Sequence, residues 1–284
     1  MDRTLSVVAD GLCFGEGPRW HDGQLWFSDM HGNRVCRIDS DGTVETVVEF
    51  PGQPSGLGWL PDGRMLVVSM VDRRLLRLEG DGSLSVAAEL SPLAPWHCND
   101  MVVDGDGRAY VGNFGFDLYD KDVRPHRTVL ILVTPSGDAR VVADDLGFPN
   151  GTVITPDGST LIVGESSGGC LTAFDVAADG SLSGRRLWAQ LVGALPDGIC
   201  LDADGAVWVA SPISNEVLRV AEGGEVLDRV STGERQAFAC MLGGDDRRTL
   251  YVCTAFTSDP SESRAQRSAR IEAVAVEVAG AGWP

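Results

Sequence analysis

One short phrase recurs about every 40–50 residues along the chain, and a period of that size is the signature of propeller blades. Its copies begin at Glu16-Gly17-Pro18, Ser55-Gly56-Leu57, Asn99-Asp100-Met101, Asn150-Gly151-Thr152, Asp197-Gly198-Ile199 and, more loosely, Phe238-Ala239-Cys240. Each is followed by an Asp/Gly-rich turn and then an apolar run, from Leu25-Trp26-Phe27 in the first unit to Leu250-Tyr251-Val252 in the sixth. Six units predict an all-β, six-bladed β-propeller. A repeat buries its faces only against its neighbours, so the array resists division. Residues 1–284 are therefore read as a single propeller domain, a size that one all-β domain can reach.

A propeller has to close its ring, because radial repetition leaves edges that need protection. Thr4 to Ala9 is a short apolar strand with no blade of its own, and Arg270 to Val278 alternates like a strand that lacks a following partner. The N-terminal strand is expected to become the outermost strand of the last blade. Inside the units, triplets such as Pro61-Asp62-Gly63, Pro156-Asp157-Gly158, Ser40-Asp41-Gly42 and Gly80-Asp81-Gly82 read as hairpin turns. They lack the distal Glu of a calcium-binding EF-hand loop and are taken as turn formers.

Two segments break the rhythm. Residues 114–127 extend the third blade with aromatic and charged side chains, the composition of a lid over a pocket. Residues 257–268, rich in Ser, Arg and Glu, interrupt the sixth blade and read as a solvated surface loop. His21 reads as a solvated hairpin-turn residue, His31 as a turn residue with lining of the mouth as the alternative, and Glu165 as either a carboxylate supporting the site or a surface group.

A formal charge of −18 argues against nucleic acid as a partner, since phosphate binding needs a concentrated basic face. Seven scattered cysteines without a C-x-x-C pair argue against a disulfide framework or a thiolate zinc site. No stretch resembles a targeting peptide or a membrane span, so no membrane partner is expected and the cytoplasm is the default compartment.

The first position of the repeated phrase carries chemistry. Strands that begin at the central opening would bring Glu16, Asn99, Asn150 and Asp197 to one axis. Two carboxylates and amide oxygens suit one hard divalent cation: calcium first, magnesium or manganese next, with zinc as a catalytic alternative. A lone Asn-Gly or Asp-Gly would be ordinary turn chemistry; the repetition at one position favours a metal.

Taken in order, Gly15-Glu16-Gly17-Pro18-Arg19-Trp20, Trp26-Phe27-Ser28-Asp29, Pro54-Ser55-Gly56-Leu57, Asn99-Asp100, Gly107-Arg108, Pro149-Asn150-Gly151 and Pro196-Asp197-Gly198 resemble the SMP-30/gluconolactonase family, which includes regucalcin. The resemblance spans essentially the whole chain. It implies a six-bladed propeller with one divalent metal at its mouth, held by Glu16, Asn150 and Asp197, with Asn99 beside it contacting substrate or water. Where family members that act on aldonolactones often carry an Arg that grips sugar hydroxyls, this chain has His97, which is shorter and titrates near neutrality. The acidic partner in that grip falls near Asp117, inside the lid. The resemblance leaves sugar preference open.

The activity it implies is opening of a lactone, a small-molecule substrate, by a polarised carbonyl and an activated water. Asp197 is the expected base, and its role as ligand, base or both stays open. Asn99, His97 and Asp117 are the expected substrate contacts. The alternatives are hydrolysis of organophosphates or other esters at the same metal, and a propeller that binds a ligand or calcium without turnover. Oligomeric state is not legible.

Overall fold

A computed structural model describes residues 3–39 and 42–282. Among the described residues, twenty-four strands form six four-stranded antiparallel sheets. Five sheets are built from consecutive strands, their innermost strands being Gly15–His21, Pro54–Trp59, Cys98–Val103, Pro149–Ile154 and Ile199–Leu201. The sixth has Gln236–Gly243 innermost, then Thr249–Ala255 and Ala269–Ala275. Its outermost strand is Ser6–Leu12, which runs antiparallel to Ala269–Ala275 with Ser6 opposite Ala273 and Leu12 opposite Ala269. The chain ends are thus joined within one blade, as their unpartnered strand patterns required. Each innermost strand touches the next around a closed cycle, the sixth returning to the first.

The repeated phrase has a packing reason. Innermost strands approach one another so closely that a side chain after the polar residue would collide with the neighbouring backbone. A Cβ on Gly56 would lie 2.4 Å from the Met101 nitrogen, and one on Gly151 2.4 Å from the Ile199 nitrogen. The Gly151 amide uses that closeness, donating to the Asp197 carbonyl at 3.1 Å.

Apolar positions of the middle strands fill the spaces between blades, with Phe27, Leu75, Tyr110, Leu130 and Trp208 fully enclosed. All seven cysteines are free, and six are buried among these hydrophobes. The expected hairpin turns form at residues 61–63, 80–82 and 156–158; Ser40 and Asp41 of a further one lie outside the described residues. Among the described residues no helix is long and apolar enough to cross a membrane.

Two expectations fail here. His21 is not a solvated turn residue: its ring stacks on Trp59 with centroids 4.0 Å apart and planes 12° from parallel. Residues 257–268 are not a plain surface loop, because Pro260–Gln266 form a helix. The Asp259 side chain accepts hydrogen bonds from the Ser261 and Glu262 amides, and Pro260 sits in the first turn, where its missing N–H is harmless. Ser263 of this helix is buried.

Candidate active site at the mouth of the propeller

The strand ladders slip where the polar residue stands. In the second blade Pro54 pairs with Ser69 and Leu57 with Val67, so Ser55 and Gly56 together oppose Val68. The same slip sets Asn99 and Asp100 against Gly112, and Asn150 and Gly151 against Gly164. Such bulges re-aim a side chain and recur beside active sites. In the fifth blade the ladder begins only at Ile199, which leaves Asp197 ahead of it.

Asn99 and Asn150 in their bulges, Glu16 just before the slip of the first blade and Asp197 ahead of its ladder all line one cavity of about 310 Å³. Phe238 occupies the corresponding position in the sixth blade and lines the same cavity. In the second blade Ser55 is buried beneath it, its hydroxyl 3.5 Å from the Asn99 side-chain oxygen. A second cavity of about 340 Å³ lies elsewhere, between turns around Asp104–Arg108 and Ile154–Gly158, and holds none of the residues expected at the site.

The two carboxylates are held in an unfavourable place. Burial pushes the pKa of Glu16 well above its usual value, and the charges of Asp197 and Asp100 push it further. Asp197 keeps partial contact with solvent, yet the protein packed around it raises its pKa to about 8, against a lowering hydrogen-bonding interaction with Asn150. Asn150 also donates from Nδ2 to the Ser166 hydroxyl at 3.1 Å. The Nδ2 of Asn99 is buried without a hydrogen-bond partner.

Asp100 and Arg19 lie below this floor, buried as an ion pair with Nη2 to Oδ1 at 2.7 Å. The same Arg19 nitrogen donates to the Met101 carbonyl, and Nη1 to the Pro18 carbonyl at 2.8 Å. Desolvation raises the Asp100 pKa, opposed by Arg19 and by the Met101 amide.

Two carboxylates forced together with amide oxygens form a donor set fit for a hard divalent cation. Glu16, Asn150 and Asp197 are the side chains that would hold it. The set contains only two acidic groups; among the described residues no cluster of three or more His, Cys, Asp or Glu side chains stands ready to hold a metal.

Two sequence-predicted substrate contacts do not line the cavity. His97 packs its ring against Trp96 at 5.0 Å and lies 6.1 Å from Phe114, which does line it. Asp117 turns its carboxylate to the Tyr119 amide at 3.0 Å. Glu165 is also elsewhere, buried under Arg127 and Arg185 with its oxygens taken by the Gly147 amide and the Thr172 hydroxyl.

The lid expectation is met: Phe114, Leu118 and Tyr119 all line the cavity. Ser258, from the segment expected to be plain surface, lines it too. Its carbonyl accepts from the Tyr119 hydroxyl at 3.3 Å and lies 3.2 Å from His31 Nε2. His31 is accordingly a buried support on a 3₁₀ turn, 5.0 Å from Phe14, rather than an ordinary turn residue. Phe14, Met30 and Phe148 complete a wall that repeat reasoning missed, because they stand outside the repeated phrase. The Asp259-Pro260 pair was the available signal for the ordered segment beside Ser258.

A closed ring of six blades with a polar floor at the opening defines a propeller whose site is assembled from several blades. The SMP-30/gluconolactonase/LRE-like family model matches residues 14–256, and the chain belongs to that family. The 6-deoxy-6-sulfogluconolactonase of Pseudomonas putida is 28% identical over 295 residues, covering 100% of this chain and 99% of the relative. The pentonolactonase of Haloferax volcanii is 28% identical over 260 residues, covering 89% and 85%. Among solved structures, a calcium-binding regucalcin from Agrobacterium tumefaciens superposes with a TM-score of 0.83 at 21% identity, covering 99% of this chain and 97% of that one.

Proposed function

We propose that the protein is a metal-dependent lactonase that opens a sugar-like or related small lactone. The observation that carries this reading is the convergence of Glu16, Asn99, Asn150 and Asp197 on the floor of one cavity, all but Asp197 buried. Membership of the family and likeness to two sugar lactonases support the reaction class. Likeness to a calcium-binding regucalcin supports calcium as the first metal to test, before magnesium, manganese and zinc.

When bound by Glu16, Asn150 and Asp197, a divalent cation supplies Lewis acidity toward a carbonyl oxygen and neutralises the paired carboxylates. Asp197 accepts a proton from the attacking water and returns it to the ring oxygen as the acyl–oxygen bond breaks. Burial raises its pKa in the metal-free protein, and a cation on the floor would favour the ionised form that accepts a proton. The free Nδ2 of Asn99 is a donor for a substrate oxygen on the floor. Phe114, Phe148 and Tyr119 limit water above it.

The test is acid release from a panel of lactones, read with a pH indicator, with and without chelator. Release that chelator abolishes and calcium or manganese restores supports the reading. Binding of cation without acid release from any lactone or ester would replace it with a non-catalytic ligand site.

A further inference from the structure

Apart from the floor residues, Tyr119, Ser166, Gln236 and Ser258, the lining of the cavity is apolar. Phe14 meets Phe238 edge-on with centroids 4.6 Å apart, and Phe114 lies 4.6 Å from Phe148. Leu118 and Ile213 carry the apolar surface outward to the rim, Ile213 being 61% exposed. Among the described residues, the lining contains no Arg, Lys or His.

A polyhydroxylated ring brings a hydroxyl on nearly every carbon, and each one taken from water needs a partner. Several wall groups are already engaged. The Ser166 hydroxyl donates to the Pro196 carbonyl at 2.7 Å and accepts from Asn150, while the Tyr119 hydroxyl donates to the Ser258 carbonyl. His97 and Asp117, the residues placed to grip hydroxyls, do not line the cavity. Cavities of this composition recognise ligands by apolar contact, with a few polar groups fixing orientation.

We infer that the substrate is a lactone bearing an alkyl or aryl substituent on its ring, the ester group seated on the Glu16–Asp197 floor and the substituent against the Phe114–Phe148 wall toward Ile213. This rests on the lactonase reading and deepens it. It sets the chain apart from its sugar-lactonase relatives in substrate class.

The experiment compares kcat/KM of the metal-loaded protein for gluconolactone, δ-valerolactone and δ-valerolactones alkylated with methyl to butyl groups. A rise of about fourfold for each methylene that reaches the wall is expected, carried mainly by KM. The butyl compound should exceed gluconolactone by about tenfold or more. A flat alkyl series with gluconolactone preferred overturns the substrate class and leaves the lactonase reading intact. Failure to open any of these lactones removes both. The Ile213→Asn variant, altered at an exposed position, should cut the butyl-to-unsubstituted ratio about fivefold by removing apolar contact; an unchanged ratio contradicts the placement.

Discussion

The Tyr119 hydroxyl donates to the Ser258 carbonyl at 3.3 Å, tying the insertion of the third blade to that of the sixth across 139 residues of sequence. Both residues line the cavity, so one hydrogen bond links its two covering segments. Tyr119→Phe keeps the ring and removes the tie. A single neutral hydrogen bond at a half-exposed position contributes about 0.5–1.5 kcal/mol. The variant is expected to melt within a few degrees of the parent while KM for the best lactone rises, a split read by thermal denaturation and steady-state kinetics.

Asp197→Asn removes the proton acceptor and one carboxylate of the floor. Hydrolysis should fall by about 10²–10⁴-fold in kcat, the usual contribution of a positioned base. The metal-free variant should nevertheless be more stable than the parent at pH 8, because it no longer buries a charge beside Glu16. Loss of activity together with a gain in chelator-treated melting temperature separates a site residue from a structural one.

The same crowding sets a pH dependence. Asp197 has a pKa raised to about 8 in the folded, metal-free protein, against an ordinary carboxylate value near 3.8, and Glu16 is raised in the same direction. The folded state therefore holds these protons more tightly than the unfolded chain does. Their stabilising contribution is complete below about pH 4 and is lost as pH climbs toward 8, with a slope of about 1.4 kcal/mol per pH unit for each proton. Chelator-treated protein should melt at lower temperature at pH 8 than at pH 5. Saturating calcium or manganese should shrink the difference, since it favours the ionised pair.

Much of this arrangement is legible in the sequence because one physical constraint is written several times. Close approach of innermost strands demands glycine at positions such as 151 and 198, and the residue before each lines the mouth. Glu16, Asn150 and Asp197 could thus be assigned to one place without knowing any distance. The wall was not legible, since Phe14, Met30 and Phe148 belong to connections with no repeat to compare. His97 and Asp117 do not line the cavity, for a related reason. Trp96 and Phe114 pack around the His97 ring, and Asp117 is engaged by the Tyr119 amide, contacts that depend on how a long insertion folds.

Arg19 has no role at the cavity surface, yet it compensates Asp100 and through it the floor above. Arg19→Ala would leave Asp100 buried and unpaired, a change expected to cost about 3–5 kcal/mol. Gly151→Ala should cost about 1–3 kcal/mol by pressing a methyl group against the Ile199 nitrogen. Chemical denaturation measures both, with the arginine variant the more damaged.

The central claim is that Glu16, Asn150 and Asp197, from three separate blades, meet around one doubly charged cation. Anomalous diffraction from crystals grown with manganese tests it most directly. A single strong peak within coordination distance of all three side chains is the predicted result. A peak held elsewhere, or a saturated protein in which these three side chains point apart, would contradict it.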